Sequence, residues 1–257
     1  MKRNPMEIRL IVFVTLCMII AISFVARLVF DRNTASAMGG IKTTVDEDPF
    51  TSPRKRMVEE QIAYRGIKDK KILDAMASVP RHLFIPEENR LYSYYDQPVP
   101  IGFGQTVSQP YIVALMTELL KLDEGDVVLE VGTGSGYQAA ILSKLVKQVY
   151  TIEIIEDIGK ASLKRLKTMD YDNVEVKIGD GYKGWPEHAP FDAIIVTAAA
   201  EHIPQPLIDQ LKPGGRMVIP VGSAYTVQDL ILVSKDASSK IVKEAVIPVR
   251  FVPLLHK

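Results

Sequence analysis

From Val127 onward, short apolar runs alternate with amphipathic segments, and this alternation limits the possible architecture more than any other feature. Val127-Val128-Leu129-Glu130-Val131 reads as a buried strand, Tyr137 to Leu145 as a helix, Gln148 to Ile152 as a strand and Ile158 to Met169 as a helix. Val174 to Ile178 and Phe191 to Thr197 add two strands, and Pro206 to Leu211 a short helix. Pro213-Gly214-Gly215 then turns into a strand over Arg216 to Pro220. Repeated strand–helix units require parallel strands whose crossovers cover both faces of a sheet. Leu230 to Ser234 and Val242 to Val249 have no convincing helix between them, so they suit an antiparallel hairpin at one edge. The fold class expected is α/β, doubly wound, with a mostly parallel sheet. With 47% hydrophobic residues in 257, one sizeable core is within reach.

The chain before this region is organised differently. Lys2, Arg3 and Arg9 precede an uncharged apolar run from Leu10 to Ala26. Residues 1–32 read as a secretory signal peptide, with Ala35-Ser36-Ala37 as a cleavage site, or as an uncleaved membrane anchor. Either reading leaves the domain exported, periplasmic or membrane-tethered, with membrane contact only through this segment. Residues 33–52, rich in Thr, Ser, Asp and Gly, read as a linker. Residues 53–257 are the expected domain, divided into a helical and loop-bearing part at 53–122 and an α/β core at 123–257. In the first part, Val58 and Ile62 predict a helix stopped by Gly66, and Asp69 to Ala77 a second one ended at Val79-Pro80. Residues 80–110, dense in Pro, Gly and Tyr, show little periodicity. Ile112, Leu115, Met116 and Leu119 then mark one face of a further helix.

Composition removes several kinds of chemistry. Thirty-one basic and 31 acidic residues give a formal net charge of zero, without the basic field that nucleic-acid binding needs. Cys17 is the only cysteine, so no internal disulfide, cysteine zinc site or redox pair is available. His82, His188, His202 and His256 lack metal-like spacing, and no metal is expected.

The strongest chemical signal is Glu130-Val131-Gly132-Thr133-Gly134-Ser135-Gly136, directly between the first strand of the alternating region and its helix. Glycines there allow a tight turn and close approach of a ligand to the backbone. Glu153 closes the next strand about 20 residues on, where a carboxylate can accept from both ribose hydroxyls. Gly179-Asp180-Gly181 closes the third, where Asp180 can accept from an adenine amino group. Taken alone, Glu130 and Glu153 could be surface carboxylates at strand ends; the whole constellation favours cofactor binding. The spacing is G-x-G-x-G after an acid, with Tyr137 where a dinucleotide fingerprint wants its last glycine, which disfavours a nicotinamide oxidoreductase. It resembles the S-adenosylmethionine-binding loop of class I methyltransferases. That assigns Glu130, Gly132, Thr133, Gly134, Gly136, Glu153, Asp180 and Gly181 to cofactor binding, with Glu130 placed to orient the loop or the methionine amino group.

A more specific resemblance runs through Pro80-Arg81-His82-Leu83-Phe84-Ile85-Pro86, the stretch Pro100 to Tyr111, Val196-Thr197-Ala198-Ala199-Ala200 and Phe251-Val252-Pro253-Leu254. Over roughly residues 53 to 255 the chain resembles the protein-L-isoaspartate (D-aspartate) O-methyltransferase family. The resemblance implies a Rossmann-like domain of about seven strands with one antiparallel edge strand and an N-terminal helical cap. It implies a monomer that uses S-adenosylmethionine to methylate the free carboxyl of L-isoaspartyl and D-aspartyl residues in damaged proteins and peptides. Ser108 matches the family's active-site serine; taken alone it would read first as a helix cap ahead of Pro110. Gln105, Thr106 and Thr197 are the further candidates for the substrate side, although each could instead stiffen its loop or finish its strand. The N-terminal run departs from the family pattern, whose usual compartment is the cytoplasm. The rivals are a methyltransferase acting on a small molecule and an inert cofactor-binding scaffold.

Overall fold

A computed structural model describes residues 48–223 and 226–256. The apolar run Leu10 to Ala26, its reading as signal or anchor, and most of the 33–52 linker lie outside the described residues. Among the described residues no helix is long and apolar enough to cross a membrane.

Helix α1 (Thr51–Arg56) runs into a π-helical turn at Met57–Ile62 and a 3-10 turn at Ala63–Arg65. Met57, Val58 and Ile62 face the core, and Gly66 ends the segment at φ 102°, a conformation that favours glycine. Helix α2 (Lys70–Ser78) is capped by Asp69, whose carboxylate accepts the Lys71 N–H. Helix α3 (Pro110–Leu120) begins with proline at its first turn. Its deepest face is Val113, Met116, Thr117 and Leu120, while Ile112, Leu115 and Leu119 are half-buried against the same core. The inward seam is therefore turned about one residue from the expected one, because α3 is apolar nearly all round and its pattern does not fix a face.

The stretch between α2 and α3 is more ordered than its composition suggests. Two 3-10 turns (Arg81–Phe84, Glu87–Tyr92) lead into a hairpin of β1 (Val99–Gly102) and β2 (Gln105–Val107). Its tip, Gly102-Phe103-Gly104, has positive φ at all three residues. Strands this short carry no readable alternation.

The main sheet has seven strands in the order β5-β4-β3-β6-β7-β8-β9. They are β3 (Val127–Val131), β4 (Gln148–Glu153), β5 (Val174–Ile178), β6 (Phe191–Val196), β7 (Leu211–Val221), β8 (Gln228–Lys235) and β9 (Ile241–Val249). Helices α4 (Tyr137–Ser143) and α5 (Glu156–Thr168) are the crossovers from β3 to β4 and from β4 to β5, and α6 (Gln205–Gln210) precedes β7. The parallel pairs extend from β5 to β7, and β8 is antiparallel to both neighbours. The antiparallel strand is thus one place in from the edge, and β9 forms the edge in the common direction. This corrects the expectation of an antiparallel edge strand: two successive hairpins restore the direction. Strand order reverses beside β3, so the crevice for a ligand opens at the carboxyl ends of β3 and β6. Buried apolar side chains pack on both faces of the sheet, each fully buried aliphatic one contributing about 1.5–3 kcal/mol.

Candidate active site

The turn after β3 is held by its own backbone. The amides of Gly132 and Thr133 both donate to the Ile152 carbonyl, at 2.8 and 3.1 Å. Gly132, Gly134 and Gly136 take φ of 101°, 52° and 89°, which makes glycine the residue suited to all three places. A β-carbon on Gly132 would collide with Thr197 Oγ1, and one on Gly136 would press Leu166 at 3.1 Å. Helix α5 braces the turn from outside: Ser162 donates to the Gly134 carbonyl, and Arg165 to that of Ser135 at 2.8 Å.

Glu153, at the end of β4, is buried and accepts the Gly134 N–H through Oε2 at 2.8 Å and the Ile155 N–H through Oε1 at 2.9 Å. Each oxygen keeps one acceptor position. Glu130, fully buried, accepts from Thr151 at 2.6 Å, and Thr151 in turn takes the Thr133 hydroxyl at 2.7 Å. Its other oxygen, Oε1, has no partner, and burial pushes the carboxyl up to about 8. Asp180 accepts the Tyr182 N–H through Oδ1. Its Oδ2 is buried without a hydrogen bond, and the Nδ1 of His256 stands 2.8 Å from it.

Of these carboxylates Glu153 lines the main cleft, and Asp180 precedes Gly181 of its lining. Its lining includes Gln105, Thr106, Gly132, Gly134, Glu153 and Gly181, with an apolar floor of Val131, Ile152, Ile154 and Leu254. The C-terminal segment closes one side, held by the Ala199 N–H on the Val252 carbonyl and the Leu254 N–H on that of Ala199. A smaller recess behind the glycine turn reaches Glu130, Thr133 and Gln138. On the other side of Thr106 and Thr197, a wider groove runs between Pro98, Ser108, Gln109 and Ile112 and the segment Pro248 to Val252.

The structure settles what Ser108 does not do. The residue capping α3 is Gln109, with no side-chain capping bond. The Ser108 hydroxyl has no partner among the described residues, and Ser108 lines both the groove and the recess behind the glycine turn. Thr106 and Thr197 line both cleft and groove. Thr197 also donates to the Gly132 carbonyl at 2.6 Å, so it latches the glycine turn to the end of β6. Gln105 lines the cleft rather than the groove. Thr151, Ser162, Arg165 and the Val252–Leu255 wall escape sequence reasoning. The first three are ordinary polar residues on strand and helix, and the fourth reaches the site only by pairing with the loop after β6.

The arrangement can bind an elongated ligand with hydroxyls at Glu153 and amine donors at Glu130 Oε1 and Asp180 Oδ2, the two buried carboxylate oxygens that accept no hydrogen bond. It can present that ligand to a second molecule in the groove. Among the described residues, no histidine or cysteine is in the lining of the cleft or groove.

Comparison with known proteins gives the same direction. Residues 52–257 match the family described as protein-L-isoaspartate(D-aspartate) O-methyltransferase. The chain is 54% identical over 227 residues to protein-L-isoaspartate O-methyltransferase 2 of Syntrophobacter fumaroxidans, spanning 85% of this chain and 92% of that one. It is 52% identical over 223 residues to protein-L-isoaspartate O-methyltransferase 1 of Cupriavidus necator, spanning 83% and 86%. A solved protein-L-isoaspartate O-methyltransferase superposes with a TM-score of 0.71 at 30% identity, covering 78% of this chain and 65% of that one. A Plasmodium falciparum structure assigned to the same enzyme, with S-adenosyl-L-homocysteine bound, gives 0.67 at 30% identity over 79% and 98%.

Proposed function

The chain belongs to the protein-L-isoaspartate(D-aspartate) O-methyltransferase family, and from that premise we propose that its groove presents an isoaspartyl carboxylate to a methyl donor held in the cleft. The enzyme is an S-adenosylmethionine-dependent carboxyl methyltransferase that acts on L-isoaspartyl residues of damaged proteins and peptides. The observation that carries the residue assignment is the meeting of cleft and groove at Thr106 and Thr197, with the free Ser108 hydroxyl in the groove.

The cleft fits the cofactor by its own chemistry. Two buried carboxylate oxygens without hydrogen bonds, Glu130 Oε1 and Asp180 Oδ2, call for donors. The methionine ammonium and the adenine amine are such donors, and the spare acceptor positions of Glu153 suit ribose hydroxyls. When bound, S-adenosylmethionine supplies an electrophilic methyl group on a sulfonium.

The residues of the chain then have limited work. The acceptor is already ionised near neutral pH, since carboxyl pKa values lie near 4, so no general base is required. With S-adenosylmethionine held at Glu130, Glu153 and Asp180, the acceptor oxygen would take the methyl group and the carbon–sulfur electron pair would stay on sulfur. Ser108 donates to the acceptor carboxylate and fixes its direction. Thr197 and Glu153 hold the glycine turn at the cleft, so the reactants meet in line. Placing two reactants in this way can account for several kcal/mol of barrier lowering. The methyl ester that leaves the groove cyclises to a succinimide, whose hydrolysis returns part of the population to aspartate. D-aspartyl residues are proposed as a further substrate.

For residues 1–32 we retain signal or anchor, followed by a linker and the catalytic domain, and for the domain a monomer. N-terminal sequencing of the mature protein and membrane fractionation decide between cleavage, anchoring and a cytoplasmic enzyme. Repair itself is tested by incubating an isoaspartyl peptide with the full chain and S-adenosylmethionine through repeated cycles. Accumulation of the aspartyl form supports the reading, and an unchanged isoaspartyl fraction contradicts it.

A further inference from the structure

Arg81 is wholly buried, yet no carboxylate lies within ion-pairing distance of it among the described residues. Its Nε donates to the Ser93 carbonyl at 2.7 Å and its Nη2 to the Ser108 carbonyl at 2.7 Å. The guanidinium stands 4.7 Å from the centre of the Tyr137 ring, at the first turn of the helix that follows the glycine loop. Nη1 has no hydrogen-bond partner. Burying an unpaired cation costs several kcal/mol; a residue serving packing alone would not need the charge.

The bond to Ser108 fixes more than one atom. The Ser108–Gln109 peptide is trans, the only cis bond among the described residues being Ala189–Pro190. In a trans peptide the carbonyl and the following N–H point opposite ways. With its carbonyl held on the interior side by Arg81, the peptide must turn the Gln109 N–H away from the guanidinium. Ser108 and Gln109 both line the groove, and no acceptor among the described residues takes this N–H. The Ser108 hydroxyl next to it is also free.

We propose that Arg81 is a positioning residue that acts through the Ser108–Gln109 peptide, turning the Gln109 N–H and the Ser108 hydroxyl into a paired donor site for the methyl-accepting carboxylate. The inference rests on the carboxyl-methylation reading and adds to it a backbone donor and the residue that aims it. Two donors on one carboxylate fix its orientation where one would let it swing, and hydrogen bonds to an ionised acceptor are about twice as strong as neutral ones. The guanidinium also polarises the peptide it holds, which strengthens the N–H as a donor.

The experiment is a double-mutant cycle on the full chain with Arg81→Met and Ser108→Ala, and with Arg81→Lys as a second, milder variant that keeps a cation but lacks the rigid planar fork that holds both carbonyls. Affinity for S-adenosyl-L-homocysteine is read by calorimetry, and kcat and KM with an isoaspartyl peptide well below the melting temperature. The expected result is cofactor affinity within about twofold of wild type, with kcat/KM lowered about thirtyfold in Arg81→Met and less in Arg81→Lys. In the Ser108→Ala background Arg81→Met should cost no more than about threefold further, because contacting residues that act as one unit are non-additive. Fully additive losses, or equal losses of cofactor affinity and turnover, overturn the inference and leave Arg81 a packing residue. If Arg81→Met does not fold, Arg81→Lys and its combination with Ser108→Ala carry the same reading. Absence of wild-type transfer to the peptide overturns the reaction assignment and the inference together, whereas wild-type transfer with additive losses overturns the inference alone.

Discussion

The Glu153 carboxylate receives the Gly134 amide at 2.8 Å, so the last residue of β4 holds the middle of the glycine turn that follows β3. One side chain thereby shapes the cofactor loop and offers its remaining acceptor positions to the cleft. Glu153→Gln keeps the shape but replaces one acceptor oxygen by a donor that faces a backbone N–H. The expected outcome is a cofactor affinity lowered at least tenfold, about 1.4 kcal/mol, with a smaller change in kcat at saturation. Calorimetry with S-adenosyl-L-homocysteine checks it, and unaltered affinity would count against the ribose assignment.

Ser108 presents the opposite case, a hydroxyl that stabilises nothing in the free protein. Ser108→Ala should leave the melting temperature where it is. Loss of a hydrogen bond to a charged group costs about 1.5–3 kcal/mol, so kcat/KM for an isoaspartyl peptide should fall by roughly ten- to a hundredfold. A lower melting temperature with unchanged kinetics would return Ser108 to a structural role.

Glu130 links pH to both stability and binding. Its carboxyl is raised from 4.5 to about 8 by burial, so the folded state holds the proton more tightly than the unfolded chain. That contribution to stability is complete below about pH 4.5 and is lost as pH rises through about 8. Compared with Glu130→Gln, which cannot ionise, the wild-type melting temperature should therefore decline across this window. A cation beside Oε1 favours the ionised form, so cofactor binding near pH 7 should release protons from the wild type and fewer from the variant. Calorimetry in buffers of different ionisation enthalpy measures this, and equal proton release would remove Glu130 from the cofactor site.

Gly132 tests the latch to Thr197. At φ 101° any side chain is strained, and a β-carbon there would meet the Thr197 hydroxyl. Gly132→Ala should lower the melting temperature by several degrees and abolish measurable cofactor binding. A stable variant that still binds would mean the turn is looser than its hydrogen bonds imply.

The sequence carried the α/β order because the central strands β3 and β6 are short apolar runs, as burial on both faces requires, while the edge strand β5 alternates apolar and charged residues. The candidate cofactor residues were legible for a related reason: Gly132, Glu153 and Asp180 follow or close three successive strands, where the doubly wound order brings them together. What was hidden depends on tertiary contact. Thr151 looks like any strand threonine until its neighbour in register proves to be Glu130. The β1–β2 hairpin is too short to show a period. The wall from Val252 to Leu255 is placed by pairing with residues some fifty positions earlier, and the free Ser108 hydroxyl follows from Gln109, not Ser108, being the cap of α3.

The most direct test of the central claim follows labelled methyl from S-adenosylmethionine to an isoaspartyl peptide, with the normal aspartyl peptide of the same sequence as control. Base-labile label on the isoaspartyl peptide alone is the expected result. Cofactor binding without label on either peptide, or equal label on both, would contradict the assignment of the groove to an isoaspartyl carboxylate.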